Sequence, residues 1–435
     1  MIPPSIHNFL TTDLMPMLAC VLAALCTGLL GNFLVLRRMS LMGDAISHAV
    51  LPGLVLAFIL TGSRSTWPML AGAGVSGLVT VALVSLVRRL GRLDTGTAMG
   101  VVFSILFALG VVMIERVARQ VDLDAECVLY GAAETLFWLN APDRWNQVLS
   151  ADSLSGVPRQ VTTLLVMAIL AGAFVAVFFK ELRLAAFDSA LAASLGFRPG
   201  LVNAALMAMV AASTVAAFEA VGSILVIAML VCPAATARLL TDRLRSQLLV
   251  SAIVAVASGI LGYILGAFGP HWFGHDRSVS VTGMMTVVAG VLLFTAVIAS
   301  PSHGIVARSL RRLAIAVTVA REDLLATLYR AEERRGAPGP ADRALPGKTL
   351  GSLARRQAIK RGEVTPAPSA MPIPLALTDK GRDAARQIVR THRLWEDYLV
   401  TNLGLRTDHV HDTAMRLEHL RDAAAARLAP HTAPT

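Results

Sequence analysis

Charge is scarce in this chain. Asp, Glu, Lys and Arg make up only 16% of its 435 residues, against about 25% in an ordinary soluble domain. Hydrophobic residues reach 55% and the mean hydropathy is +0.63, which excludes a chain built only of soluble domains. Cysteine is nearly absent: Cys20, Cys26, Cys127 and Cys232 show no paired spacing, so no disulfide framework is expected and small apolar-core residues are the natural reading. There is no phosphate-cradling P-loop and no G-x-S-x-G elbow, so nothing here hydrolyses ATP by itself. The opening MIPPSIHNFLTTDLMP lacks the basic region and small-residue cleavage site of a signal peptide, so the first apolar run is expected to stay as a membrane span.

What is present divides in two. Up to about residue 300 the chain is strongly apolar, and from about 308 onward it is rich in Arg, Ala, Glu and His. We therefore expect an all-α chain: a polytopic membrane helical bundle over 1–307, then a small, mainly helical soluble domain over 308–435. Apolar runs of about 20 residues, the length that crosses a bilayer, fall near 15–36, 45–62, 67–87, 97–115, 160–179, 200–218, 219–240, 247–268 and 279–300. That makes about nine spans, with a turn expected near Ala217–Glu219. Basic residues cluster in alternate loops, at Arg37–Arg38, Arg88–Arg92, Lys180–Arg198, Arg238–Arg245 and Arg308–Arg312. By the positive-inside rule these loops are cytoplasmic, the N-terminus is outside and the soluble domain is inside. The same rule accounts for much of the net charge of +10.

Two connections carry patterns. The outer loop of about 116–159 contains VDLDAECVLYGAAETLFWL, an amphipathic stretch whose Trp138 suits a membrane interface. The inner segment KELRLAAFDSALAASLGFRPG places Phe187, Leu191 and Leu195 at i, i+4, i+8 with Gly196 as C-cap, so a short amphipathic helix is expected there. It is either a docking surface or an ordinary connector.

Ionisable groups inside spans are costly, roughly 2.5–3.5 kcal/mol each. LMGDAISHAVLPG holds Asp44 and His48 four residues apart on one helical face, before Pro52. A carboxylate oxygen and an imidazole nitrogen so placed can bind one divalent transition cation. The alternative is that Asp44 caps the helix and His48 is an interhelical polar residue. Glu219 is the other intramembrane carboxylate, expected at the turn.

Taken together, LLGNFLVLRRMSLMGDAISHAVLPGLVLAFILTG, GTAMGVVFSILFALGVVMIERV, VDLDAECVLYG, FDSALAASLGFRPG and EAVGSILVIAMLVCPAATARLLTDRL resemble the permease subunit of bacterial ABC importers for manganese, zinc or iron. The resemblance runs in order through residues 15–300. It implies that Asp44 and His48 are ligands on the transport path. It also implies a coupling helix of about 184–197, including Phe187, Asp188, Leu191, Leu195 and Gly196, received by a separate ATP-binding cassette subunit. A periplasmic or lipid-anchored metal-binding protein would supply the cargo, and a second permease copy or paralogue would complete the pair in the lipid of the bacterial cytoplasmic membrane.

The tail offers its own donors. His392 and Glu396 are i, i+4, as are His411 and Met415, while Met415, Glu418 and His419 share a face. Two helices carrying N, O and S donors can make a divalent-metal site. LALTDKGRDAARQIVRTHRLWEDYLVTNLGLRTDHVHDTAMRLEHL resembles the metal-binding and dimerisation region of the diphtheria-toxin-repressor family, and REDLLATLYRAEE resembles that family's first helix. The resemblance implies one metal site from Asp323, Met415, Glu418 and His419 and another from His392, Glu396 and His411, with metal-binding helices over about 381–428. Met415 stands where relatives have Cys or Glu, and Ala326 where manganese-sensing relatives have a carboxylate. The intervening stretch has winged-helix length, about 321–380, but is rich in Pro and Gly. A degenerate winged helix without DNA binding is expected.

The expected function is therefore a non-enzymatic permease subunit importing Mn²⁺, Zn²⁺ or Fe²⁺, with a tail that senses cytoplasmic metal. The alternatives are a secondary cation transporter, which needs mid-span carboxylates, and a membrane-tethered metal-dependent regulator.

Overall fold

The structure, a computed structural model, describes residues 4–37, 39, 45, 49–62, 66–117, 133–147, 150–272, 274, 279–333, 348–366, 375–406, 410–417 and 419. The chain forms two compact units, Met1–Val306 and Ala307–Thr435.

In the first unit the principal helices are α1 (Leu14–Leu36), α2 (Leu51–Thr61), α3 (Thr66–Gly91), α4 (Thr95–Val117), α5 (Arg159–Val177), α6 (Phe179–Phe187), α7 (Ser189–Ser194), α8 (Pro199–Val221), α9 (Ser223–Leu240), α10 (Leu244–Ala267) and α11 (Val281–Ala299). Among the described residues, seven helices are long and apolar enough to cross a membrane, those built on α1, α3, α4, α5, α8, α10 and α11. Two shorter apolar helices, Leu51–Thr61 and Leu225–Leu240, accompany them. Together they coincide with the nine apolar runs of the sequence.

Helix α1 is the centre of the unit, packed by α5, α8, α9 and α10. Its small residues allow this: Ala19, Ala23, Ala24, Cys26, Gly28 and Gly31 are all buried. Gly31 packs so closely on α9 that a Cβ there would overlap the Leu230 carbonyl. A polar seam runs along α1 and α10. Asn32, fully buried, donates to Gly28 O at 2.8 Å and accepts from Gln247 Nε2 at 3.1 Å, and Ser251 Oγ donates to Gly28 O at 3.3 Å. In an apolar medium such bonds are the alternative to unsatisfied polar groups, so they fix the register of the two helices.

Three expectations are corrected here. The break between α8 and α9 is at Gly222, not near Ala217–Glu219. Gly222 sits at φ 77°, ψ 167°, a region closed to most side chains, while Glu219 is exposed on the last turn of α8. Trp138 is not an interface anchor: its side chain is buried, and its indole N–H donates to Ser153 O at 2.8 Å. The inner amphipathic segment is not one helix. Asp188 is extended (φ −148°, ψ 99°) and divides α6 from α7, because its carboxylate caps α7 by accepting from the backbone N–H groups of Ala190 and Leu191 at 3.0 and 2.9 Å.

The second unit contains most of α12 (Ile305–Glu333), then α13 (Lys348–Lys360), β1 (Val364–Pro366), β2 (Leu375–Leu377), α14 (Asp379–Thr401) and α15 (His411–Leu417). The two strands pair antiparallel, Val364 opposite Leu377, and are the only strands among the described residues of a helical chain. Leu324, Leu325 and Leu328 of α12, Ala358 of α13, the strand residues Val364, Leu375 and Leu377, and Ala385, Ile388 and Val389 of α14 form one core. Leu399, Val410 and Ala414 form a second, smaller cluster with Trp395 and Val400, and this holds α15 against the end of α14.

Candidate functional site

Asp44 and His48 lie outside the described residues, as does Glu418. Their described neighbours Ala45, Ala49 and Val50 are buried.

The second unit brings three of the expected donors together. His392 and Glu396 are one turn apart on α14, and the Leu399–Val410–Ala414 cluster delivers His411, the first residue of α15, to them. His392 Nε2 lies 3.0 Å from Glu396 Oε1 and 3.1 Å from His411 Nδ1, and His411 Nδ1 lies 2.8 Å from Glu396 Oε1. The two imidazoles meet edge to face, with centroids 4.8 Å apart. Donor atoms in adjacent positions around a cation, each about 2.1 Å from it, are themselves about 3.0 Å apart in an octahedral shell and about 3.4 Å apart in a tetrahedral one. The triangle therefore has the dimensions of three ligands on one ion. It is also graded in exposure, His392 being buried and His411 open. Burial alone would raise the pKa of Glu396. The hydrogen bond to His411 and the charges of both imidazoles outweigh it and hold the carboxyl below its ordinary value.

The second expected set is partly assembled. His419 Nε2 lies 3.3 Å from Asp323 Oδ1. Met415 is half-buried on α15. The new member is Glu322, whose Oε2 lies 2.9 Å from His419 Nδ1. Glu322 and Asp323 sit at adjacent positions near the middle of α12, so His419 faces a carboxylate with each ring nitrogen. Behind Glu322 sits Arg321, which donates to Glu322 Oε1 and to Glu363 Oε1, each at 3.3 Å. All three of these side chains are buried. Sequence reasoning missed Arg321, Glu322 and Glu363. Adjacent charges in REDLLATLY carry no pattern that marks Arg321 and Glu322 as buried, and Glu363 is 42 residues from Arg321 in the chain with no spacing that links it to them.

The coupling candidates are exposed. Phe187 ends α6, Leu191 lies within α7 and Leu195 caps it, with exposures of 60%, 47% and 58%. Gly196 follows at φ 85°. Three apolar side chains left open around a capped six-residue helix form a surface able to take up a partner, although Phe187 belongs to the preceding helix.

Comparison with known proteins bears on both units. Residues 11–137 and 145–299 match the family model described as ABC 3 transport family, and residues 378–431 match the iron dependent repressor, metal binding and dimerisation domain. The chain is 38% identical over 296 residues to the manganese transport system membrane protein MntD of Bacillus subtilis, covering 67% of this chain and 94% of that protein. It is 37% identical over 298 residues to the zinc transport system membrane protein TroD of Treponema pallidum, covering 67% and 75%. A solved structure, PsaBC from Streptococcus pneumoniae in complex with Fab, superposes with a TM-score of 0.54 at 26% identity, covering 70% of this chain and 98% of that one. The chain thus belongs to the ABC 3 transport family, a multi-pass membrane permease that carries a repressor-type metal-binding and dimerisation domain at its C-terminal end.

Proposed function

We propose that this chain is the permease of an importer that moves a divalent transition metal, manganese, zinc or iron, across the bacterial cytoplasmic membrane. The observation that carries the reading is the 38% identity over 296 residues to a manganese transport membrane protein. The similar match to a zinc transport protein keeps the choice of metal open. Asp44 and His48 are the cargo ligands in transit: an imidazole and a carboxylate accept Mn²⁺, Fe²⁺ and Zn²⁺ alike, so selectivity rests on geometry or delivery. Two permeases pair around the path, a metal-binding protein feeds it from outside, and a separate ATP-binding subunit drives alternating access. That subunit is received by the exposed surface of Phe187, Asp188, Leu191, Leu195 and Gly196. The N-terminus is outside and the second unit is cytoplasmic.

The second unit senses the imported metal. His392, Glu396 and His411 hold one ion, supported by the spacing of their donor atoms. Asp323, Met415, Glu418 and His419 hold another, with Glu322 added to the set. Both sets join the first or last helices of the unit, so occupancy stabilises the arrangement of those helices.

The test is uptake of radioactive manganese and zinc by cells expressing the chain with its partner subunits. Asp44→Ala and His48→Ala each abolish uptake while the amount of inserted protein stays unchanged. Normal uptake by both variants overturns the ligand assignment. Uptake that persists without the ATP-binding subunit overturns the importer class in favour of a secondary transporter.

A further inference from the structure

Helix α12 changes character along its length. From Ala320 to Leu328 it is packed into the second unit's core, but every residue from Arg308 to Ile315 is exposed. That exposed part is not polar. Ile305, Val306, Leu310 and Leu313 are 55%, 48%, 61% and 47% exposed. At about 100° per residue these four fall within an arc of about 140°. Arg308 and Arg311 lie on the opposite side, together with Ile315, while Arg312 flanks the stripe beside Ile305. An apolar stripe with arginines on its flank and back is the pattern of a helix that lies in a membrane interface.

The place where the helix starts supports this. Helix α11, apolar and long enough to cross a membrane, ends at Ala299. The link that follows is pinned to the end of α9: Ser302 Oγ donates to Leu239 O at 3.1 Å, Ser300 Oγ bonds the same carbonyl, and His303 Nε2 lies 3.1 Å from Asp242 Oδ1. Gly304 N then donates to Ser300 O at 2.9 Å, which closes a tight turn into Ile305. Ile305 and Val306, the start of α12, therefore follow directly on the ends of two apolar helices, one of them long enough to cross a membrane.

We propose that residues 305–316 form an interfacial anchor on an anionic lipid surface. The apolar stripe enters the headgroup–acyl boundary, the aliphatic stems of the arginines lie along the surface, and the guanidinium groups engage lipid phosphates. The occupant is lipid rather than a second copy of the helix, because the stripe begins directly after apolar helices end and Arg312 on its flank is placed to meet an anionic headgroup. Each arginine near such a surface contributes about a fivefold bias.

The test uses the full chain, with Cys20, Cys26, Cys127 and Cys232 replaced by alanine, in nanodiscs of phosphatidylcholine with or without phosphatidylglycerol. Nitroxide labels are placed at Leu313→Cys and, as a second site on the same face, Leu310→Cys, with Arg311→Cys on the opposite face. With phosphatidylglycerol present, labels at 310 and 313 collide with oxygen in preference to a water-soluble nickel chelate, and the label at 311 shows the reverse. Adding Arg308→Gln and Arg312→Gln lowers the ratio of lipid-held to water-held label at 313 about thirtyfold. Equal, water-like accessibility at all three positions in anionic discs overturns the proposal. So does spin–spin broadening at 313 that persists in detergent, the signature of a second copy.

Discussion

Replacing Arg321 by methionine removes the guanidinium that two buried carboxylates share. Arg321, Glu322 and Glu363 are 4%, 7% and 6% exposed, and both ion pairs measure 3.3 Å. Methionine fills a similar volume, so little cavity cost is expected. What remains is Glu363 without its ion pair to Arg321, and Glu322 with one ion pair fewer beside His419, in a buried site. Breaking a buried pair in this way costs about 3–5 kcal/mol. The loss should be felt across the second unit, since Arg321 ties α12 to Glu363 at the start of the strand pair, and Thr378 Oγ1 in turn donates to Glu363 O at 3.1 Å before α14. Hydrogen exchange of the full-length protein reads this directly. Amides around Ile388 and Val389, in the core of α14, should exchange about two to more than three orders of magnitude faster in Arg321→Met, at about 1.4 kcal/mol per tenfold. Adding Glu322→Gln and Glu363→Gln neutralises the stranded charges and should restore much of the protection. Exchange within a few-fold of the parent protein in Arg321→Met would refute the reasoning and make the cluster energetically idle.

Other consequences are as direct. Gly31→Val should abolish assembly of the membrane unit, read as loss of a monodisperse gel-filtration peak, whereas Gly74→Ala, with open space around its position, should be tolerated. His392→Ala and His411→Ala should each weaken manganese or zinc binding by the full chain at least about tenfold, measured by calorimetry in an Asp44→Ala, His48→Ala background; unchanged heats in both would remove the triangle as a site. Because the folded pKa of Glu396 is depressed, its pairing stabilises the metal-free second unit fully above the ordinary glutamate value of about 4.3 and is lost as pH falls through the lower folded value. Glu396→Gln should therefore flatten that acid limb in a hydrogen-exchange pH series, and an unchanged limb would count against the assignment.

Much of this architecture is legible in the linear chain because two of its signals are local. Twenty apolar residues in a row need no partner to declare a span, and His392 with Glu396 share a face by helical periodicity alone. That His411 joins that pair is what the resemblance to the repressor family implies; spacing alone pairs His411 with Met415 and leaves its other partners open. What could not be read were choices made by neighbours. Trp138 reads as an interface residue until the Ser153 carbonyl is found against its indole nitrogen. Phe187 and Leu191 read as one helix until Asp188 spends its carboxylate on capping the next one. The seam of Asn32, Gln247 and Ser251 carries no pattern in sequence, since its partners are more than two hundred residues apart.

The composition of the chain by itself determined that it crosses a membrane many times and ends in a soluble, donor-rich domain, because apolar run length and helical spacing are properties of the chain alone. Only the tertiary structure decided that Glu322, rather than Asp323 alone, meets His419, and that Arg321 stands behind it against Glu363. Burying three charges together is favourable only when long-range packing brings each to its counter-charge and excludes water, and no local spacing encodes that.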